Sequence, residues 1–119
     1  MTPPEQSDLK SQVNDLFEHF KANDLSHAES LASKLTLSYP DHPFAWKVLG
    51  TIYLGSGREP DAIEAYKRAV LLAPQDAESH NNFGISLKRM GRLREARRSY
   101  VRSIELNPDY AQAHNNLGS

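Results

Sequence analysis

The sequence predicts an all-α fold in which αα-hairpins stack into a solenoid, with about three repeats and part of a fourth. The main evidence is an interval of 34 residues that several residue types share. The residues in register are prolines, alanines and glycines: Pro40, Pro74 and Pro108; Ala28, Ala62 and Ala96; Gly50, Gly84 and Gly118; Gly57 and Gly91. A fixed period of this size is typical of stacked helical hairpins, which usually form binding surfaces.

Composition excludes several classes of function. The chain of 119 residues has no cysteine and a formal net charge of −1. It therefore has no thiol chemistry and no overall charge that would attract nucleic acid or a membrane. No apolar run approaches the ~20 residues of a membrane span. Residues 1–7 lack the basic and apolar regions of a signal peptide. We therefore expect a cytoplasmic protein without nucleic-acid or membrane partners.

No segment alternates polar and apolar residues as a half-buried strand would, so every element is expected to be helical. The expected helices are 8–22, 26–38, 43–56, 60–73, 77–90, 94–106 and 111–118. The expected units are a disordered lead at 1–7, a divergent repeat at 8–42, repeats at 43–76 and 77–110, and the first helix of a fourth repeat or a short cap at 111–119.

Proline and glycine explain the helix boundaries. Pro60 suits the first turn of a helix, where its missing N–H costs nothing. Gly57 and Gly91 fall in the short turn inside a hairpin, where a left-handed backbone favours glycine. The residue before a proline is pushed out of the α region, which ends the second helix of each pair. The prolines with this role are Pro40, Pro74 and Pro108.

Two glycines and two alanines predict close helix packing. Gly50 and Gly84 lie inside helices, where glycine costs ~1 kcal/mol relative to alanine. This cost is understandable if two helices approach closely there, with Ala62 and Ala96 on the facing helix. The large apolar residues around these contacts are Trp46, Leu49, Tyr53, Tyr66, Leu72, Phe83, Leu87, Tyr100 and Leu106.

These positions resemble the tetratricopeptide repeat (TPR), whose pattern includes an aromatic residue, Leu-Gly, Tyr, Ala and Pro at fixed spacing. The matches in 43–76 are Trp46, Leu49, Gly50, Tyr53, Ala62, Tyr66, Ala69 and Pro74. Residues 77–110 match with the departures His80, Phe83, Leu87 and Ser103. The first helix of 8–42 fits better when shifted by one residue, with Val13, Leu16, Phe17 and Phe20 on the core face.

The resemblance implies a right-handed superhelix whose concave face is lined by the first helix of each pair. Helical spacing then predicts which residues share that face. The predicted peptide-binding groove contains Lys47, Thr51, Glu78, Asn81, Asn82, Ile85, Lys88, Arg89, Gln112, Asn115 and Asn116. The runs SHNNFG at 79–84 and AHNNLG at 113–118 are similar to repeats in O-GlcNAc transferases and in bacterial repeat proteins with a glycosyltransferase or sulfotransferase domain.

In those transferases, asparagines form a ladder that grips an extended peptide backbone. The resemblance therefore implies that Asn82 and Asn116 bind peptide groups, because an amide side chain both donates and accepts. The alternative is that they are solvated or bond neighbouring turns. A clamp for a C-terminal carboxylate is not expected, because Glu78 and Asn82 stand where that mode needs basic residues.

The third repeat is basic, with Lys88, Arg89, Arg92, Arg94, Arg97, Arg98 and Arg102. This stretch is either a patch for an acidic partner or a solvated convex face. The histidines are not expected to form a metal site. His80 and His114 take the place of a packing aromatic residue and lie a full repeat apart. No set of nucleophile, base and orienting group is visible, so we expect no enzyme activity and no cofactor.

The leading functional hypothesis is a non-catalytic protein–protein interaction scaffold that binds an extended peptide in its concave groove. One alternative is the N-terminal, substrate-recruiting arm of a larger glycosyltransferase or sulfotransferase. Another is a self-assembling module, because the sequence ends inside the first helix of a repeat and would expose an apolar C-terminal edge.

Overall fold

The computed structural model describes the backbone of residues 4–118 and the side chains from residue 8 onward. These residues contain no strand and seven helices: α1 (Pro4–Lys21), α2 (Leu25–Ser38), α3 (Pro43–Gly55), α4 (Glu59–Leu72), α5 (Ala77–Arg89), α6 (Leu93–Leu106) and α7 (Ala111–Gly118). Consecutive helices pack as the hairpins α1/α2, α3/α4 and α5/α6, each hairpin packs on the next, and α7 packs against α5 and α6. The predicted all-α hairpin solenoid is confirmed.

The turn inside each hairpin contains one residue with positive φ. These residues are Asn23 (62°), Gly57 (74°) and Gly91 (77°), which lie one repeat apart. Asparagine tolerates this left-handed conformation better than most residues. Each turn is closed by the hydrogen bond of a helix-ending Schellman motif. The bonds run from Asp24 N to His19 O (2.8 Å), from Arg58 N to Tyr53 O (2.8 Å) and from Arg92 N to Leu87 O (2.9 Å).

The shared turn geometry fixes the register of the first repeat without the expected shift of one residue. Leu16 is fully buried, and Val13 and Phe20 pack half-buried against the core. Phe17, however, is 48% exposed, so its predicted core position is wrong. In the observed register Phe17 is equivalent to Thr51, so it lies on the face of α1 that corresponds to the predicted groove. Its ring contacts that of Phe44, with 6.3 Å between the ring centroids.

The first helix also starts earlier than expected, at Pro4 rather than at residue 8. Residues 4–7 are therefore helical and not part of a disordered lead. A proline at the first helical position costs no hydrogen bond, so Pro4 can begin the helix. Residues 1–3 of the expected lead lie outside the described residues.

Two tyrosine rings fill the space beside the helical glycines. A Cβ atom on Gly50 would lie 2.9 Å from ring carbons of Tyr66, and one on Gly84 would lie 2.6 Å from a ring carbon of Tyr100. Tyr66 is fully buried and Tyr100 nearly so. The predicted close packing is therefore present, and a tyrosine from the second helix of the same hairpin forms the contact.

A ring N–H joins the start of each repeat from the second onward to the preceding proline. Trp46 Nε1 donates to the carbonyl of Pro40 at 2.8 Å. His80 Nε2 and His114 Nε2 make the same bond to Pro74 and Pro108, at 3.0 and 2.7 Å. Since a carbonyl only accepts, each imidazole carries its proton on Nε2. Histidine in place of tryptophan therefore keeps the N–H donor at this position.

Candidate functional site

The first helices α3, α5 and α7 lie side by side and carry the predicted groove residues. The exposed members of that set are Glu78, Lys88, Arg89, Gln112 and Asn115, and the half-buried members are Lys47, Thr51, Asn82, Ile85 and Asn116. The remaining member, Asn81, is 0% exposed.

The burial of Asn81 corrects its predicted place in the groove. Its Oδ1 accepts a hydrogen bond from Asn116 Nδ2 on α7 at 3.0 Å, and its Nδ2 lies 3.4 Å from Asn82 Oδ1. A further side-chain hydrogen bond links it to Tyr110, which precedes α7. Because α7 packs over this position, Asn81 joins two repeats instead of facing a ligand.

The hydrogen bonds continue from Asn82 toward α3. Asn82 bonds to the hydroxyl of Tyr66, and that hydroxyl lies 2.7 Å from Thr51 Oγ1. Burial raises the pKa of Tyr66 to about 12, against the opposing effect of these two hydrogen bonds, so the phenol is neutral at physiological pH. We call Thr51, Tyr66, Asn82, Asn81 and Asn116 the polar network. It connects the three first helices and fixes the positions of their amide side chains.

A salt bridge neutralises the lysine at one end of the groove. Lys47 Nζ lies 2.9 Å from Asp76 Oδ2 and 3.4 Å from Glu78 Oε1. Asp76 Oδ2 also accepts a hydrogen bond from Ser79 Oγ at 2.7 Å. Burial raises the pKa of the Asp76 carboxyl, but the bonds from Ser79 and Lys47 outweigh it and leave the pKa below its ordinary value. For Lys47 the signs are reversed, because burial lowers the pKa of an ammonium group. The two carboxylate partners outweigh burial and leave the pKa of Lys47 above its ordinary value.

These shifts predict an acid-dependent contribution of Asp76 to stability. Because its pKa is lower in the folded chain, the contribution is complete above the ordinary carboxyl pKa of 3.8 and is lost as the pH falls through the lowered folded value. Asp76→Asn should lower the free energy of unfolding by about 1 kcal/mol at pH 6, and by much less near pH 2.5. Urea denaturation at both pH values measures this, with the exposed Asp41→Asn as control. An equal loss at both values would contradict the prediction.

Several basic residues of the third repeat are held by acceptors within the chain. Arg89 Nη1 donates to the carbonyl of Leu54 at 3.1 Å and lies 3.7 Å from Glu59 Oε1. These two contacts join α5 to the turn between α3 and α4. Arg92 pairs with Glu95 at 2.7 Å. The basic stretch is thus partly neutralised, and its use as a patch for an acidic partner stays a prediction.

The chain is a helical-repeat protein whose first helices present a connected row of polar side chains. A family model described as TPR repeat matches residues 50–91 and 86–119, together more than half of the sequence. The chain therefore belongs to the TPR repeat family, as its sequence pattern predicts.

Solved structures of TPR proteins have the same fold. A mutant of the Thermobaculum terrenum O-GlcNAc transferase is 28% identical, with a TM-score of 0.88 over 98% of this chain. MamA is 26% identical, with a TM-score of 0.82 over 92% of this chain. The first TPR of Spaghetti (RPAP3), bound to an HSP90 peptide, is 21% identical with a TM-score of 0.83 over 91% of this chain and 86% of its own, and shows the fold alone.

The match to the transferase involves only a small part of that enzyme, since this chain spans 22% of its length and 60% of MamA. No curated protein matches the sequence significantly. Among the described helices, none combines the length and the apolar character that crossing a membrane requires.

Proposed function

We propose that this chain is a non-catalytic protein–protein interaction scaffold that binds an extended peptide across α3, α5 and α7. The observation that carries the proposal is the polar network. It holds Asn82 and Asn116, which occupy equivalent positions one repeat apart, half-buried and each hydrogen-bonded to Asn81. Recognition groups that are already ordered lose little side-chain entropy on binding. An extended peptide offers unpaired N–H and C=O groups that amides of this kind can bind.

The charge distribution favours recognition of the peptide main chain over capture of a charged terminus. Lys47 is paired with Asp76 and Glu78, so a ligand carboxylate would have to displace two carboxylates already in contact with it. Glu78 on one side and Lys88 with Arg89 on the other remain exposed at the rim. Such rim charges of both signs select among side chains and affect association rates more than affinity.

The proposal is tested with a phage-displayed library of random linear peptides. An enriched peptide should bind whether its C-terminus is free or amidated. Asn82→Ala should weaken binding roughly 5- to 30-fold, which corresponds to the loss of one or two hydrogen bonds of about 1 kcal/mol each. Fluorescence anisotropy with the labelled peptide gives the dissociation constants. The control is Arg98→Ala on α6, a side chain that is exposed outside the groove set.

Asn82 also bonds Tyr66, so thermal unfolding of Asn82→Ala must show that the fold is kept. Asn115→Ala, exposed on α7, provides a second groove variant with little risk to the fold. Failure to enrich any peptide, or equal affinities for the parent chain and both groove variants, would contradict the proposal. Binding that depends on a free C-terminal carboxylate would show the terminal-capture mode instead.

A second candidate function is a substrate-recruiting arm of a larger glycosyltransferase. It is favoured by the 28% identity and the TM-score of 0.88 to part of an O-GlcNAc transferase. The groove would be the same, and its ligand would be the protein substrate of that enzyme. Sequencing the natural gene past the codon for Ser119 distinguishes the two, because only the second requires a transferase domain in the same frame. A cytoplasmic location and self-association through the C-terminal edge remain predictions.

A further inference from the structure

The turn of the first hairpin places two imidazoles around one carboxylate. His19 lies in the last turn of α1, Asp24 directly precedes α2, and His27 lies in its first turn. Nδ1 of His19 is 3.0 Å and Nδ1 of His27 is 2.8 Å from the same oxygen, Asp24 Oδ2. One nitrogen from each ring and one carboxylate oxygen all lie within 4.8 Å of one another. No histidine site is expected from the sequence, so this cluster is a finding of the structure.

We propose that His19, Asp24 and His27 form a surface binding site for a zinc ion. Two imidazole nitrogens and one carboxylate oxygen are ordinary zinc ligands, with bonds of about 2.0–2.2 Å. The fourth tetrahedral position would be taken by water or by a group from a partner. Softer thiolate-seeking ions and the oxygen-seeking calcium and magnesium ions fit this mixed nitrogen and oxygen set less well.

Two of the three distances between the ligand atoms are close to those that zinc requires. Ligand atoms around a tetrahedral zinc ion lie about 3.3 Å apart at these bond lengths. The two nitrogen–oxygen distances, 3.0 and 2.8 Å, need to widen by only a few tenths of an ångström. The side chains of His19, Asp24 and His27 are 40%, 40% and 71% exposed, so they are free to make this adjustment and open to an entering ion.

The backbone that carries the ligands is already fixed by hydrogen bonds. Asp24 N donates to His19 O at 2.8 Å, Asn23 N donates to Phe20 O at 3.1 Å, and Ala28 N donates to Asp24 O at 3.0 Å. Metal binding would therefore order little more than three side chains, which keeps its entropic cost small. The Asp24 carboxyl, like that of an ordinary exposed aspartate, is ionised at neutral pH and able to bind a cation.

The other hairpins show that the fold does not need these ligands. The equivalent residues are Tyr53, Arg58 and Asp61 in the second repeat and Leu87, Arg92 and Glu95 in the third. In both, an arginine pairs with the acidic residue three positions later, at 3.3 and 2.7 Å. In the first repeat the order of this pair is reversed, since Asp24 stands in place of the arginine and His27 in place of the acidic residue. His19 provides a further imidazole where the other repeats have Tyr53 and Leu87. The same turn forms without imidazoles, so its geometry alone does not account for the two histidines.

Zinc titration of the full chain tests the proposal. After treatment with a chelator and its removal, isothermal titration with zinc chloride should show one ion per chain. In two-dimensional NMR of the histidine rings, His19 and His27 should shift while His42, His80 and His114 stay unchanged. The double variant His19→Gln/His27→Gln and the single variant Asp24→Asn should each bind zinc at least about tenfold more weakly. The control His114→Gln removes a histidine outside the cluster and should bind zinc as the parent chain does.

If the three side chains only hydrogen-bond to one another, the chain will bind no zinc up to about millimolar concentration, and the proposal is overturned. Unchanged affinity in the double variant, or shifts confined to the other histidines, would overturn it as well. All variants alter exposed or half-exposed side chains, and circular dichroism verifies their fold. The outcome is independent of peptide binding, because the proposed groove lies on α3, α5 and α7.

Discussion

Replacing Gly84 with alanine should lower the free energy of unfolding by up to about 2 kcal/mol. The new Cβ would lie 2.6 and 2.8 Å from ring carbons of Tyr100, well inside van der Waals contact. Tyr100 is only 3% exposed, so its ring has little space into which to move. Overpacking of this kind typically costs about 1–3 kcal/mol, and the ~1 kcal/mol that alanine gains over glycine in a helix offsets part of that cost.

Urea denaturation monitored by circular dichroism measures this effect, and Gly55→Ala is the matched control. Gly55 is also helical, but no heavy atom lies within 4 Å of the position of its Cβ. That variant should be as stable as the parent chain or up to ~1 kcal/mol more stable. If both variants have the same stability, close contact between glycine and tyrosine does not hold the hairpin together.

Replacing Asn81 with leucine should cost about 1–3 kcal/mol and should loosen α7 from the rest of the chain. Leucine is of similar size, so the main loss is polar. Asn81 is fully buried and bonds Asn116 at 3.0 Å, and also contacts Asn82 and Tyr110. Its removal leaves three neighbouring polar groups without their present partner.

Native-state hydrogen exchange combined with denaturation measures the effect of Asn81→Leu. We expect amides of α7 to exchange faster, and those of α3 to change little. Asn115→Leu, at an exposed neighbouring position on α7, should change the stability by less than about 0.5 kcal/mol. An equally small effect of Asn81→Leu would show that the buried amide is not needed to join the third repeat to α7.

The sequence predicts the helices and their packing because the features that decide them are local and repeated. Pro74, Gly84 and Gly91 each act on the backbone within their own repeat. The register of the first repeat was harder to predict, since Asn23 takes the place of the glycine that marks the other turns. Apolar spacing alone then suggested a core position for Phe17 that the turn geometry does not allow.

The site was only partly predictable, because contacts between repeats decide which groove residues are available. Helical spacing predicts that both Asn81 and Asn82 lie in the groove, but the packing of α7 determines that Asn81 is buried. Likewise, the pairing of Lys47 on α3 with Asp76, which directly precedes α5, depends on how the second and third hairpins pack together and has no local sequence signal. The cluster of His19, Asp24 and His27 did have such a signal, since it replaces the arginine–acid pair of the other turns.

The central claim is that the face formed by α3, α5 and α7 binds an extended peptide. Its most direct test is two-dimensional NMR of the isotopically labelled chain, titrated with a peptide enriched from the random library. We expect the largest shifts on these helices, at Thr51, Asn82, Ile85, Asn115 and their neighbours. Shifts concentrated on the exposed faces of α2, α4 and α6 would place the ligand outside the groove and contradict the claim.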